Sequence, residues 1–262
     1  VVALVEHLVI ENIGLLANEE IKDGEEINVT VPTGNFGNIL AAYFAKQLGV
    51  PIKKLICASN DNKVLYDFFQ TGTYDRQRDF ILTTSPSMDI LISSNLERLL
   101  YLSTGCDAEQ TAKLMNQLGT EGHYTVTPEM KAKMADFCGG FATEAEDAAA
   151  IRELYDETGY VIDTHTGVAS AVYQQYKKNT GDETKTVIAS TASPYKFSRS
   201  VMEAISDEKL PEDEFAVIDE LCRVSGVEIP KAVEEIRNAQ IRHKLECDVQ
   251  DMKKTVAKIL GI

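Results

Sequence analysis

The sequence predicts an α/β fold: an open, mostly parallel sheet flanked by helices and carrying a helical insertion. Three observations support that prediction. The alternating run Ile27-Asn28-Val29-Thr30-Val31 leads through a glycine-containing turn into a helical pattern and then into Lys54-Leu55-Ile56-Cys57-Ala58, which makes a β-α-β unit. Helix signals dominate residues 95 to 181. Thr186-Val187-Ile188-Ala189 then returns to strand character, and strands separated by helices pair in parallel.

The elements follow in order. Val1, Leu4, Val5, Leu8, Val9, Ile13 and Leu16 recur at helical spacing, so 2–18 reads as a helix with a wide buried face. Lys22-Asp23-Gly24-Glu25 turns the chain into the strand at 27–31, and a helix over 36–47 ends at Gly49 and Pro51. Asn60-Asp61-Asn62 is expected to cap a helix through Val64, Leu65, Phe68 and Phe69 that closes at Gly72. Residues 73–92 are less regular, with a loop at Thr83-Thr84-Ser85-Pro86-Ser87 ahead of the run Asp89-Ile90-Leu91-Ile92. Asp107 with Gln110, Thr127-Pro128-Glu129, and Thr143 with Glu146 each pair an N-cap with a favourable first turn. Pro230 reads as the first residue of a helical tail with Val233, Ile236 and Leu245 on one face. The expected organisation is 1–105 and 161–262 together forming the ligand-binding α/β part, with 106–160 as the helical insertion.

Composition narrows the function. Lys+Arg number 26 against 41 Asp+Glu, and a net charge of -15 repels a polyphosphate backbone, so nucleic acid is not an expected partner. An anionic substrate would have to be drawn in by local groups. Five cysteines, Cys57, Cys106, Cys138, Cys222 and Cys247, form no close pair and read as free, buried thiols in a reducing, cytoplasmic compartment. The histidines, His7, His123, His165 and His243, supply no ligand spacing, so no metal is expected. The apolar opening is interrupted by Glu6, His7 and Glu11 and lacks a basic flank, so neither a membrane span nor a signal peptide is expected. The chain begins with Val1 rather than methionine, which implies processing or excision ahead of it.

In open parallel sheets ligands sit beyond the carboxyl ends of the strands. Two strand ends are rich in small polar residues: 32–38, within "VPTGNFGN", and 190–194. In Thr33-Gly34-Asn35-Phe36-Gly37-Asn38 the glycines permit positive φ and close backbone approach, and the following helix offers unpaired N–H groups. That combination suits a phosphate, although the turn has neither G-x-G-x-x-G nor a Walker G-K-[ST]. By local pattern alone it is either a structural turn or an anion site.

The stretch "VPTGNFGNILAAYFAKQLGVPIKKLICASNDNKVL" resembles threonine synthase, a pyridoxal-phosphate (PLP) enzyme of the tryptophan-synthase-β-like fold type II. The resemblance continues through "SPSMDILISSNLERLL", "VIDTHTGVASAVYQQY", "VIASTASPYKF" and "IPKAVEEIRNAQIRHK". It implies that Gly34, Asn35, Phe36, Gly37 and Asn38 bind the PLP phosphate and that the Thr191 hydroxyl meets the pyridine nitrogen. It also implies conversion of O-phospho-L-homoserine and water to L-threonine and phosphate, a lyase reaction of threonine biosynthesis. The family's Schiff-base lysine lies well ahead of the glycine turn, and no lysine precedes Lys22, so the expected partner is a missing N-terminal portion of the same enzyme. Two alternatives remain: a phospho-lyase or dehydratase of the same fold, and a non-catalytic phosphate- or PLP-binding fragment. The family commonly carries His and Ala where this chain has Ser193 and Tyr195.

Other residues have weaker claims. His165 reads as a helix-start or supporting residue rather than a direct acid–base group. Asn95, Glu97 and Arg98 are candidates to position substrate, against capping and surface pairing. Lys196 and Arg199 are candidates to meet a substrate phosphate, against solvated helix ends. Tyr173 and Tyr176 read as core.

Overall fold

The computed structural model describes residues 21–242 and 244–262, so the helix expected over 2–18 lies outside the described residues. The chain divides into two units, the first ending at Val227 and the second comprising Glu228–Ile262.

In the first unit β1 (Ile27–Pro32), α1 (Gly37–Gln47) and β2 (Ile52–Ser59) form the expected β-α-β unit. Then come α2 (Val64–Thr71), β3 (Thr73–Asp75), α3 (Leu96–Ser103), α4 (Ala108–Thr120), β4 (His123–Thr125), α5 (Pro128–Lys133) and β5 (Phe137–Phe141). The unit finishes with α6 (Glu144–Thr158), α7 (Thr164–Thr180), β6 (Thr186–Ile188), α8 (Ser198–Ile205) and α9 (Glu214–Ser225). The main sheet has four strands in the order β5-β2-β1-β6. Every pairing in it is parallel, as alternation with helices requires. β3 and β4 form a separate antiparallel pair.

Alternation on β1 buries Ile27, Val29 and Val31 in a cluster with Ile39 and Leu40 of α1. Ile56 and Ala58 of β2 pack instead with Val168, Ala169 and Val172 of α7. The sheet is thus covered on both faces, and its carboxyl end is left for loops. Tyr173 and Tyr176 pack against the second cluster, and the Tyr176 hydroxyl donates to Asp182 Oδ2 at 2.8 Å.

Three capping expectations match the geometry. Asp107 accepts from the Gln110 N–H, Thr127 from the Met130 N–H, and Thr143 forms a reciprocal capping box with Glu146. Elsewhere the structure differs. The stretch 106–160, expected as a helical insertion, holds α4, α5 and α6 but also β4 and β5, and β5 joins the main sheet. Asn60 and Asn62 do not cap α2. Asn60 Nδ2 donates to Thr83 Oγ1 at 2.9 Å and Asp89 Oδ1 at 2.8 Å, while Asn62 exchanges bonds with the Ile81 backbone at 2.7 and 3.0 Å. Their amides therefore hold the 81–89 loop at the end of β2. Cys57 is buried, and burial pushes its thiol up to about 12. Cys138 and Cys222 are half-buried and Cys106 and Cys247 exposed, so the expectation of buried cysteines holds for Cys57 alone. All five are free.

The second unit contains α10 (Lys231–Arg237) and α11 (Met252–Leu260). Pro230 is the residue before α10 rather than its first, and Leu245 falls outside both helices.

Candidate functional site

β1, an interior strand, ends at the carboxyl end of the sheet, where Thr33 is pinned by its N–H to Ala58 C=O at 2.8 Å and its hydroxyl to Val31 C=O at 2.6 Å. The next residues turn sharply. Positive φ was expected at the glycines, but Phe36 takes it, with φ 64° and ψ 10° at the position before α1. Its ring is buried between Phe69 and Phe137, at centroid distances of 6.1 and 5.6 Å, and this packing holds a conformation that bulky residues rarely adopt.

Gly34 has a different requirement. A Cβ there would lie 2.6 Å from the Ser87 carbonyl oxygen and 3.2 Å from Met88 Cα, so glycine is needed for close approach of two backbones.

The carbonyls of Gly34, Asn35 and Phe36 are each engaged. Gly34 C=O accepts from the Ser93 hydroxyl at 2.8 Å, and Asn35 C=O accepts from Asn95 N–H at 3.1 Å and Asn95 Nδ2 at 2.6 Å. Phe36 C=O takes the first helical bond, from Leu40 N–H at 3.2 Å. The Tyr74 hydroxyl holds the bracing segment by donating to Leu91 C=O at 3.1 Å and accepting from Ser93 N–H at 2.8 Å. With those three carbonyls engaged, the turn offers donors: among the described residues the N–H groups of Gly34 through Ile39 meet no acceptor.

These residues line a cavity of about 250 Å³ whose wall also includes Ser87, Met88, His165, Thr191, Ala192 and Lys196. All six residues singled out by the resemblance, Gly34, Asn35, Phe36, Gly37, Asn38 and Thr191, face this one space. The donor set fits a phosphate monoester: a ring of N–H groups at a helix start, with no carboxylate among the described lining residues.

His165 is 2% exposed and has both ring nitrogens engaged. Ser87 N–H donates to Nε2 at 3.1 Å, which places the ring proton on Nδ1, donated to Asp163 Oδ2 at 3.0 Å. It is a strut under the Ser87 loop rather than a free acid or base. Asp163 caps α7, accepting from the N–H groups of His165 and Thr166 and from the Thr166 hydroxyl. Burial pushes its carboxyl up, but hydrogen bonds from His165 and Thr166 outweigh that, and the net shift is downward.

Asp147 on α6 goes the other way. It is 2% exposed, its Oδ1 meets no partner among the described residues, and that atom lies 2.1 Å from where a Cβ on Gly167 would be. Burial first, then repulsion from Asp163, pushes its carboxyl up to about 8. The folded chain keeps a proton that the unfolded chain releases near 3.8, so this group's contribution to stability declines as pH rises through that interval. Asp147→Asn should therefore be roughly 2–4 kcal/mol more stable than wild type near pH 9 and nearly equal to it near pH 4. Urea unfolding at the two pH values checks this, and equal stabilities at both would remove the buried-proton account.

The remaining candidates separate. Arg199 is committed to Glu214 at 2.6 Å and to the Pro211 and Glu212 carbonyls, away from the cavity. Arg98 donates to Asn95 Oδ1 at 2.6 Å and so props the brace. Glu97 lines a different, apolar groove with Tyr101 and Met115. Ser193 accepts from Tyr195 N–H at 3.3 Å and starts the short 3-10 turn Pro194–Phe197. Sequence reasoning missed Ser87, Ser93, Tyr74 and the capping role of Asp163. The polar triplet Ser93-Ser94-Asn95 behind an apolar run was the available signal.

No helix among the described residues is long and apolar enough to cross a membrane, and no group of three potential metal ligands occurs among them. The family model "Threonine synthase, C-terminal" matches residues 166–243. The chain is 42% identical over 200 residues to threonine synthase-like 1 of Macaca fascicularis, covering 76% of this chain and 26% of that protein. To threonine synthase of Schizosaccharomyces pombe it is 37% identical over 204 residues, covering 70% and 40%. The crystal structure of PLP-bound threonine synthase from Brucella melitensis superposes with a TM-score of 0.70 at 34% identity, covering 86% of this chain and 46% of that one. The chain thus spans about a quarter of the length of the first of these relatives and less than half of the others. It is threonine synthase-like, corresponding to the C-terminal portion of these proteins and sharing their PLP fold type II architecture.

Proposed function

We propose that the cavity is the cofactor half-site of a PLP-dependent lyase that converts O-phospho-L-homoserine and water to L-threonine and inorganic phosphate. The observation that carries this reading is the run of residues from Gly34 to Ile39 whose N–H groups meet no acceptor among the described residues and which line the same cavity as Thr191. When bound, PLP supplies an electron sink for carbanions beside the substrate's amino group.

The chain's own residues have separable tasks. The N–H groups of Gly34, Asn35, Phe36, Gly37 and Asn38 would hold the cofactor phosphate with help from the α1 dipole. Ser93 and Asn95 keep those donors aimed by occupying the carbonyls of Gly34 and Asn35, and Tyr74 holds Ser93 in place through its N–H. The Thr191 hydroxyl, with no partner among the described residues, would donate to the pyridine nitrogen. A neutral donor there does not hold a full positive charge on the ring, which moderates the electron sink.

Product analysis of the full-length protein with PLP and O-phospho-L-homoserine tests the reading. Threonine and phosphate in equal amounts are expected. 2-Oxobutyrate would indicate a dehydratase of the same fold, and PLP binding without turnover would indicate a non-catalytic binding protein.

A further inference from the structure

We propose that Asp147 is a positioning residue for the Gly34–Asn38 turn, acting through the Thr84–Ser87 segment, and that its one proton governs how firmly the cavity holds a phosphate ester; this rests on the cavity being the PLP half-site. The Ser87 carbonyl is the surface against which Gly34 is fitted, so whatever holds Ser87 also sets the aim of the turn's donors.

Both ends of the Thr84–Ser87 segment hang from carboxylates. Thr84 N–H donates to Glu144 Oε1 at 2.8 Å, and its carbonyl accepts from the Thr164 hydroxyl at 2.8 Å. Ser87 N–H donates to His165 Nε2, and Asp163 orients that ring. Asp147 is coupled to both supports: it stands three residues after Glu144 in the first turn of α6, and Asp163 and Glu144 both repel its charge. Its Oδ2 is 3.5 Å from the Thr84 hydroxyl, while its Oδ1 is packed against Gly167 with no donor among the described residues. The neutral acid fits this arrangement, and the carboxylate does not.

No cation among the described residues offsets the charge. α6 packs on α7 and α8. From α7 and its cap the ionisable neighbours are Asp163 and His165, which bond each other. On α8, Arg199 is committed to Glu214 and Glu203 is exposed. On α6 itself Arg152 reaches Ala204 C=O and Asp207. On the facing loop Asp89 is bonded to Asn60, Asn62 and Thr83. Burial first, then Asp163, pushes the Asp147 carboxyl up to about 8, so mild alkali removes its proton. Ionised Asp147 repels Glu144 and Asp163 together, and these are the two groups that suspend the segment beneath Gly34.

The test uses the full-length protein and Asp147→Asn, which keeps the shape of the acid, cannot ionise and is expected to fold at least as stably. Both are titrated with PLP and with pyridoxal at pH 6.5 and pH 9, and amide exchange over residues 84–88 is compared at each pH. Comparing the two proteins at one pH cancels the ligand's own titration and the intrinsic exchange rate. At pH 9 only about one wild-type molecule in ten keeps the proton, so its Kd for PLP should exceed that of Asp147→Asn by about 10-fold. At pH 6.5 the two should agree within about 2-fold, and for pyridoxal they should agree at both pH values. Residues 84–88 should exchange faster in wild type than in Asp147→Asn at pH 9 alone.

A PLP affinity ratio that does not change with pH would overturn the proposal, because a merely structural acid alters affinity by one factor throughout. Equal exchange over 84–88 at pH 9 would also overturn it, as would a pyridoxal ratio that moves in step with the PLP ratio. If neither protein takes up PLP at either pH, the half-site reading fails instead, and the exchange comparison still decides whether Asp147 holds the segment.

Discussion

Asp163→Ala should destabilise the first unit by about 3–5 kcal/mol, the range for stripping a buried charged group from its partners. Four donors converge on this fully buried carboxylate: the N–H groups of His165 and Thr166, the Thr166 hydroxyl and the His165 ring. Alanine leaves each without an acceptor and removes the cap of a helix of 17 residues. The consequence reaches the cavity, because a His165 ring released from Asp163 no longer has to present Nε2 to Ser87 N–H. Asp163→Asn is the informative companion. It can still accept from the backbone but offers an NH2 group to Nδ1, which favours the opposite tautomer and sets two donors against each other at Ser87. It should lose less stability than alanine yet still loosen the Ser87 loop, measurable as faster amide exchange there. The pH dependence follows from the downward shift of the Asp163 carboxyl. Its stabilising contribution is complete above the unfolded value of 3.8 and is lost as pH falls through the lower folded value, so the gap between wild type and Asp163→Ala should close in acid. A gap independent of pH would contradict the ionised cap.

Gly34→Ala should have the largest effect on the site. The new methyl would sit 2.6 Å from the Ser87 carbonyl oxygen, and both partners in that contact are backbone held by other bonds. Either the Ser87 loop or the turn must shift, at a cost of about 1–3 kcal/mol for overpacking. The shift re-aims the N–H groups, so affinity for PLP should fall about 100-fold, equivalent to two or so charge-assisted hydrogen bonds. Gly37→Ala supplies the contrast, because a Cβ there meets only Asn95 Nδ2 at an ordinary 3.6 Å. Its fold should be unperturbed, and any loss of PLP affinity would then report contact with the ligand itself. Calorimetric titration of the two variants, paired with urea unfolding, separates the cases.

The parts of this architecture that were legible in the sequence are those decided by neighbouring residues. The β1-turn-α1-β2 unit shows itself in alternation followed by helical spacing, and Asp107, Thr127 and Thr143 cap their helices through bonds that close within three residues. β5 was not legible, because Phe137-Cys138-Gly139-Gly140-Phe141 carries two glycines that local propensity counts against a strand. Those glycines answer to packing: a Cβ on Gly140 would lie 2.5 Å from Val172 Cγ1, and one on Gly139 would lie 3.1 Å from Tyr66 Cα. Asn60 was misread for a related reason, its local capping option losing to Thr83 and Asp89, which are more than 20 residues away.

The site divides along the same line. The two polar strand ends were recognisable as composition, and the resemblance gave them roles. What makes the first of them a donor cup is remote: Ser93 and Asn95, some 60 residues on, silence its carbonyls, and Phe69 and Phe137 hold Phe36 in its left-handed conformation. The positive φ at Phe36 rather than at a glycine follows from that tertiary packing, which no local rule contains.

The central claim is that the Gly34–Asn38 turn is a cofactor-phosphate cup. Parallel titration of the full-length protein with PLP and with pyridoxal, which lacks only the phosphate, tests it most directly. The cup predicts a preference for PLP of at least about 100-fold, near 3 kcal/mol, that Gly34→Ala largely abolishes. Equal affinity for the two compounds, or a preference that survives Gly34→Ala unchanged, would contradict it.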